Sequence, residues 1–166
     1  SQGVPPTKRA ADDVVVALDL RNGTLAWKTT LSGLPTGRTS SSTPCLANER
    51  IFAIGGKRIF CLDTKTGKLI WETGIHQKGV ASSPLYYDGK IFALIGSLRA
   101  YDAKSGVLLW ENKQVSGNTA SPVLWKTGNS TLIVCNSNKT VVGVNPQSGV
   151  TQWQGPGGGS STPVTH

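Results

Sequence analysis

The chain has 166 residues, of which 37% are hydrophobic and only 16% charged, and it contains 20 Gly and 9 Pro. This length suits one domain and argues against a two-domain enzyme, while the composition argues against a disordered tail or a helical bundle and favours short strands. Lys and Arg outnumber Asp and Glu by 17 to 9, which favours anionic partners or surfaces.

Four segments of the sequence superpose without gaps and define an internal repeat. They span residues 17–27, 61–71, 100–110 and 143–153, and each ends in Trp. The Trp residues are 44, 39 and 43 positions apart. A second anchor, Ser or Thr followed by Pro, stands at 43–44, 83–84, 121–122 and 162–163. A period of this length with alternating apolar residues predicts four-stranded blades.

In chain order, the predicted elements begin with a partial blade over residues 1–30. It consists of the end of a second strand, an insertion, and third and fourth strands from Val14 onward. Three complete blades follow at about 41–74, 81–113 and 120–155, and 160–166 supplies the first strand of a further blade. In the first complete blade the four strands are predicted at about 43–47, 50–54, 58–62 and 68–72. We therefore expect an all-β chain of antiparallel blades without helices.

The turn between the third and fourth strand of each blade has its own pattern. An Asp or Asn begins the turn and a Gly follows four residues later. The side-chain oxygen can accept hydrogen bonds from the turn's backbone, and Gly suits the left-handed position. The predicted turn residues are Asp19, Asp63, Asp102 and Asn145, with Gly23, Gly67, Gly106 and Gly149.

The pattern Ala-x-Asp-x-x-Thr/Ser-Gly-x-x-x-Trp resembles the tryptophan-docking motif of PQQ-like (quinoprotein) β-propeller repeats, over residues 14–166. That family includes quinoprotein alcohol dehydrogenases and a non-catalytic, BamB-like branch. The resemblance implies that the repeated Trp packs against the neighbouring blade. The structural docking residues it assigns are Trp27, Trp71, Trp110 and Trp153.

Family propellers usually have seven or eight blades, so about four repeats imply a partial propeller. Two interpretations stay open: a fragment of a longer propeller, or half of an eight-bladed ring completed by a second copy as a homodimer. Exposed blade ends would otherwise invite edge pairing. No apolar run is long enough for a membrane-spanning helix, and residues 1–3 do not begin a signal peptide, so we expect a soluble chain, mature or excised.

Little in the sequence points to catalysis. Of the nine acidic residues, only Asp12 and Asp13 lack a place in the repeat. Cys45, Cys61 and Cys135 form no Cys-x-x-Cys pair and align with small or apolar residues, which predicts buried thiols without zinc. The adjacent cysteine pair and the Glu, Asn and Asp calcium ligands of quinoprotein dehydrogenases are not recognisable. We therefore predict no catalytic residues, no metal site and no cofactor; PQQ with calcium belongs only to the dehydrogenase alternative.

Basic residues concentrate on one predicted face, here named the loop face. It comprises the connections between second and third strands and those between blades, and it collects eight basic residues against two acids, whereas six basic residues face five acids at the opposite end. This distribution predicts an anion-binding face, and no aromatic residues interleave with the charges as nucleic-acid binding would require. Its basic residues are Lys8, Arg9, Arg38, Lys57, Arg58, Lys78, Lys113 and Lys139.

These observations predict a non-catalytic scaffold that presents its loop face to an anionic ligand or protein partner. The resemblance implies the periplasm or cell envelope. One alternative is a fragment of a PQQ-dependent dehydrogenase whose catalytic residues lie outside this chain. Another is the propeller module of a cell-surface or sensor protein.

Overall fold

The computed structural model describes residues 12–31, 42–55, 58–75, 82–117 and 119–165. These residues form strands and no helix. The strands are β1 (Asp13–Leu18), β2 (Leu25–Leu31), β3 (Cys45–Ala47), β4 (Arg50–Gly55), β5 (Arg58–Asp63), β6 (Leu69–Gly74), β7 (Leu85–Tyr87), β8 (Lys90–Asp102), β9 (Leu108–Gly117), β10 (Val123–Thr127), β11 (Ser130–Asn136), β12 (Thr140–Val144) and β13 (Thr151–Pro156).

Within each sheet, the strands pair antiparallel with their neighbours along the chain. Strands β3 to β6 and β10 to β13 form two four-stranded sheets, β7 to β9 a three-stranded sheet, and β1 and β2 a two-stranded sheet. Because every neighbour in a sheet is also a neighbour in sequence, each sheet is a meander, the arrangement of a propeller blade. The predicted all-β propeller segment is confirmed.

Strand β8 supplies two strands of its blade. The Ala103 N–H donates to the Gly89 carbonyl at 2.9 Å, although the two residues flank the 13-residue strand. A straight strand of that length would separate its ends by about 40 Å. The chain therefore folds back within β8, where Gly96 has a φ of +81°. The third sheet thus matches the second, in which Thr64 N–H bonds to the Glu49 carbonyl.

Observed bounds differ from the predicted ones at blade edges. Strand β3 begins at Cys45, because the preceding Pro44 has no N–H for the ladder. Strand β9 continues to Gly117, beyond the predicted blade end. Residues 160–165 form no strand. The described residues contain no second strand of a further blade for them to pair with. Their hydrogen bonds run instead to Asn136 and Leu124 of the fourth sheet and to Ser121, just before that sheet.

The hydrophobic core lies between successive blades. One cluster joins Leu31 of the first sheet to Phe60 and Leu62 of the second. A second cluster joins the second and third sheets, and a third joins the third and fourth sheets. Among the residues buried in these clusters are Phe52, Phe60, Phe92, Ile59, Ile91 and Ile133. Burying each such side chain contributes about 1.5–3 kcal/mol, so packing between blades stabilises the array.

Within the described ranges, no helix has the length and hydropathy needed to span a membrane.

Candidate functional site

The turns between third and fourth strands are closed by one side-chain oxygen. Asp63 Oδ1 accepts from the Lys65 and Thr66 N–H groups at 3.1 and 2.8 Å and from Thr66 Oγ1 at 2.7 Å. Asp102 makes the same set with Lys104 and Ser105. These hydrogen bonds stabilise the charged form, so Thr66 and Ser105 respectively lower the pKa of Asp63 and Asp102.

Asn145 closes the fourth blade's turn with a neutral amide. Its Oδ1 accepts from the Gln147 and Ser148 N–H groups at 2.8 and 3.0 Å. In the first blade, Asp19 bonds mainly to Arg21, whose side chain approaches to 2.6 Å and lowers the pKa of the Asp19 carboxyl. All four turns share a backbone hydrogen bond from the Gly N–H to the carbonyl of the first turn residue.

Three of the repeated Trp side chains contact the turn of the following blade. The indole N–H of Trp27 donates to the Thr64 carbonyl at 2.9 Å. Those of Trp71 and Trp110 donate to the carbonyls of Ala103 and Pro146 at 3.2 and 3.3 Å. Each acceptor is the residue directly after the Asp or Asn of its turn, so the same contact recurs at three blade junctions.

The turn glycines receive the Trp rings. A Cβ atom on Gly67, Gly106 or Gly149 would lie 2.5, 2.6 or 2.7 Å from an atom of the preceding blade's Trp. These glycines also have φ between +68° and +75°, where side chains are disfavoured. Glycine is therefore required for two reasons: the backbone is in the left-handed region, and the Trp ring occupies the space that a side chain would need.

Trp153 is placed differently from the other three. It is 37% exposed, and no acceptor for its indole N–H is found among the described residues. The ring lies over Gly143 on its own sheet and meets Trp125 edge-on, with ring centroids 5.9 Å apart. Gly143 occupies the position opposite the Trp that Ala17, Cys61 and Ala100 hold in other blades, so only this blade leaves room for that packing.

The Ser/Thr-Pro anchors form a second series of contacts between blades, which was not predicted from the sequence. The Thr43 N–H donates to Ser83 Oγ at 2.8 Å, and the Ser83 N–H donates to Ser121 Oγ at 2.9 Å. The Ser121 N–H continues the series to Thr162 Oγ1 at 3.1 Å. The repeated hydroxyl residue before Pro was the signal that could have predicted these bonds.

Only part of the predicted anion-binding face lies in the described residues. Lys8, Arg9, Arg38, Lys57 and Lys78 fall outside them. The Arg58 guanidinium lies 3.0 Å from the Glu72 carboxylate, which offsets its positive charge and weakens its attraction for an anionic ligand. Lys113 and Lys139 are exposed and have no ion pair within the described part of the chain. Both lie at the loop-face end of their sheets, near or within the connections there.

Nearby, contacts link two blades along the loop face. Ser137 Oγ accepts from the Ser116 N–H at 3.1 Å and donates to the Ser116 carbonyl at 3.0 Å.

A second cluster lies within the third sheet. The Arg99 guanidinium lies 2.9 Å from the Glu111 carboxylate, and Ser97 donates to the same carboxylate oxygen. These bonds lower the pKa of Glu111, Ser97 contributing most. The charge of Arg99 is therefore offset within the protein and is less able to attract an anionic ligand.

The described carboxylates do not fit a calcium and quinone site. No group of three His, Cys, Asp or Glu residues that could hold a metal occurs within the described ranges. Asp19, Asp63 and Asp102 are engaged in turns, while Glu49, Glu72 and Glu111 pair with Lys65, Arg58 and Arg99.

The cysteines are free thiols set among apolar side chains. Cys61 and Cys135 are fully buried, and Cys45 is half-buried. Burial raises the pKa of the Cys61 thiol to about 11 and that of Cys135 to about 12. Because the thiolate is the reactive form, neither buried cysteine is suited to nucleophilic chemistry. His76 and His166 lie outside the described residues.

The family model described as outer membrane protein assembly factor BamB matches residues 11–163. BamB of Yersinia pestis is 25% identical over 156 residues, covering 86% of this chain and 38% of that protein. The quinoprotein alcohol dehydrogenase PedH of Pseudomonas putida is 29% identical over 126 residues, covering 63% of this chain and 20% of that protein. The chain thus spans less than two fifths of the length of these relatives.

The crystal structure of BamB from Moraxella catarrhalis superposes with a TM-score of 0.67 at 18% identity. The match covers 90% of this chain and 48% of that structure. This structural match is consistent with the meander sheets described above, and the family match extends over nearly the whole sequence. This chain belongs to the BamB family of PQQ-like propeller repeats.

Proposed function

We propose that this chain is a non-catalytic propeller scaffold whose loop face binds an anionic ligand or an acidic protein partner. The observation that carries the proposal is the contrast between charges on that face. Arg58 is paired with a carboxylate, whereas Lys113 and Lys139 are exposed without an ion pair in the described residues. Exposed, uncompensated cations attract anionic groups and speed their association.

The state of the carboxylates supports a scaffold rather than an enzyme. General acid–base chemistry needs a carboxyl whose pKa is tuned toward the working pH. Asp63, Asp102 and Glu111 instead have lowered pKa values, caused by hydrogen bonds within the protein. Their role is to close turns and hold neighbouring side chains, not to exchange protons with a substrate.

Family membership supports a protein-binding role in the cell envelope. The relative from Yersinia pestis is named as an outer membrane protein assembly factor. We therefore propose that the periplasm or cell envelope is the site of action. We also propose that the structural docking residues serve to hold the blades in register behind the binding face.

Heparin, used as a polyanionic probe, tests the loop face. Replacing Lys113 and Lys139 together by Glu should lower the salt concentration at which the chain leaves a heparin column. The matched control, Lys65→Glu with Lys104→Glu, makes the same charge change at the opposite end of the blades and should shift elution less. Equal shifts for both pairs would show that only net charge matters and would contradict a loop-face site.

A second candidate function, a fragment of a quinoprotein dehydrogenase, is favoured by the 29% identity to PedH. Titration with PQQ in the presence and absence of Ca²⁺, followed by fluorescence, separates the two functions. The scaffold proposal predicts no saturable, calcium-dependent signal. Saturable binding of PQQ that requires Ca²⁺ would favour the dehydrogenase fragment, whose catalytic residues lie outside this chain.

A further inference from the structure

A groove of about 330 Å³ opens between the second and third blades, at the end of the blades opposite the loop face. The β3–β4 hairpin, the β7–β8 hairpin and the turn that begins at Asp102 border it, and all three lie in residues that the structure describes. Its volume falls at the lower end of the range for small-ligand sites. Side chains that line it include Asn48, Arg50, Tyr86 and Lys104.

The matching place between the third and fourth blades is filled by a side chain of the protein itself. Gln147 Oε1 accepts from Lys90 Nζ at 2.6 Å, and Gln147 Nε2 donates to Asp88 Oδ2 at 2.6 Å. The Gln147 amide therefore bridges a cation and a carboxylate. It stands two residues after the Asn that begins its turn, just as Lys104 stands two residues after Asp102.

The groove stays open because the three matching positions hold other residues. In place of Lys90, Gln147 and Asp88, it has Arg50, Lys104 and Asn48. A lysine ammonium only donates hydrogen bonds, so Lys104 cannot join a cation to a second group as the Gln147 amide does. Within the described ranges, no hydrogen bond joins the side chains of Arg50, Lys104 and Asn48 to one another.

The Tyr86 hydroxyl supplies a hydrogen-bond donor to this groove. Its oxygen accepts from Asn48 Nδ2 at 2.6 Å and from the Gly89 N–H at 3.3 Å. No acceptor for its own proton occurs in the part of the chain that the structure describes. The Tyr86 ring stacks on Phe52 with ring centroids 6.2 Å apart, which fixes the position of the hydroxyl.

Arg50 brings a positive charge that no carboxylate pairs with in the described residues. Its Nη1 donates to the carbonyls of Ala103 and Lys104, both at 3.0 Å, and the Cys61 thiol is a further neighbour. A guanidinium carries more donors than these contacts use. Asp102 also lines the groove, but its Oδ1 is engaged by the turn, and two cations line the groove against this one carboxylate.

We propose that this groove binds a carboxylate on a short methylene stem, as in butyrate or a glutamate side chain. The Gln147 side chain, which has that shape, occupies the matching place one junction further on. A carboxylate replaces its amide because the side chains available here, Arg50, Tyr86 and Lys104, all donate. One oxygen accepts from Arg50 and the other from the Tyr86 hydroxyl, and Lys104 adds its charge at the rim. Such charge-assisted hydrogen bonds are stronger than neutral ones.

Nuclear magnetic resonance titration of the chain with butyrate tests the site. The Arg50 Nε–H and Gly89 N–H signals should shift saturably, because these groups border the bound carboxylate. Butyramide, which has the same shape without the charge, should need about tenfold higher concentration or more. N-acetylglutamate N-methylamide distinguishes the two sources of the carboxylate: affinity equal to that of butyrate or higher identifies a glutamate side chain, and weaker affinity identifies a free carboxylate.

A double variant, Asn48→Asp with Lys104→Gln, should close the groove. It copies the Asp88 and Gln147 arrangement of the next junction, where the amide bridges the carboxylate and the cation. Asp88 has a φ of +48° and Asn48 a φ of +49°, so the hairpin accommodates the change and the variant should fold, as circular dichroism will show. Its affinity for butyrate should fall by about tenfold or more.

The matched control is Asn129→Asp with Lys126→Gln, on the hairpin between β10 and β11 of the fourth blade. It makes the same change of charge outside the groove and should alter butyrate affinity by less than about twofold, since distant exposed charges are screened. Equal shifts with butyrate and butyramide, unchanged affinity in the groove variant, or an equal loss in the control would each overturn the inference.

The groove and the loop face are tested separately. Retention of heparin depends on how many cations one long polymer contacts, so a site for a single carboxylate contributes little to it. If butyrate fails to bind in the titration, the groove is excluded as a carboxylate site, and the heparin experiment still decides the proposed function.

Discussion

At Asp63, Asp102 and Asn145, one side-chain oxygen organises each turn by accepting hydrogen bonds from the residues two and three positions after it. The sequence predicted this role from spacing alone, because the bonding is local. The charge is not required for the geometry, since Asn145 achieves it with an amide. The two carboxylates differ from it in one respect, which is their response to pH.

Acid should destabilise the two Asp turns. Because the folded-state pKa of Asp63 and Asp102 is lowered, their stabilisation is present above the unfolded pKa of about 3.8 and is lost as pH falls through the folded pKa. The double variant Asp63→Asn, Asp102→Asn should therefore lose less of its free energy of unfolding between pH 4 and pH 2 than the parent chain loses over the same range. Urea denaturation at several pH values measures the difference.

Asn145→Asp provides the converse control. It places a carboxylate in the fourth turn and should add acid sensitivity without changing stability near pH 7 by more than about 1 kcal/mol. If the Asn and Asp versions lose stability in parallel as the pH falls, the turn carboxylates do not carry the dependence.

At the scale of the element, the Trp-to-turn contact fixes one blade against the next. Gly106 illustrates how two constraints combine: a φ of +75°, and the Trp71 ring 2.6 Å from the Cβ position. Gly89 has a φ of +72° but nothing within 4 Å. The two glycines therefore separate backbone strain from contact between blades.

Gly106→Ala should cost more than Gly89→Ala. The left-handed backbone alone costs about 1–2 kcal/mol in either variant. Displacing the Trp71 ring should add about 1–3 kcal/mol at Gly106, as overpacking does in other proteins. Chemical denaturation at neutral pH gives both values, and equal losses would mean that the ring contact contributes nothing to stability.

The same elements show how far sequence reasoning reached. Turn and strand positions follow from local alternation, so β4 and β5 begin where the sequence predicted. The Ser83 and Ser121 hydroxyl bonds join residues about 40 positions apart, so only the repeat of the Ser/Thr-Pro anchor, and no local pattern, indicates their partners. The placement of Trp153 depends on Gly143, its partner across the sheet. Gly143 lacks the methyl group of the Ala found at this position in two other blades, and its effect on Trp153 was not predicted from the repeat.

At the scale of the molecule, charge was harder to predict than fold. The sequence assigned Arg58 to the anion-binding face, but its pairing with Glu72 spans the sheet between β5 and β6 and appears only in the structure. Lys113 and Lys139 retain exposed charge, and five further basic residues lie outside the described ranges. The scaffold beneath them is more firmly specified, because three blade junctions repeat one contact.

Hydrogen exchange of the indole N–H groups measures those junctions directly. Nuclear magnetic resonance, with each signal assigned by a Trp→Phe variant, follows the exchange of all five Trp residues in D₂O. The indole protons of Trp27, Trp71 and Trp110 should exchange more slowly than that of Trp125, which has no acceptor among the described residues. If those three exchange as fast as Trp125, the blades are not held together by docking of Trp on the turns of their neighbours.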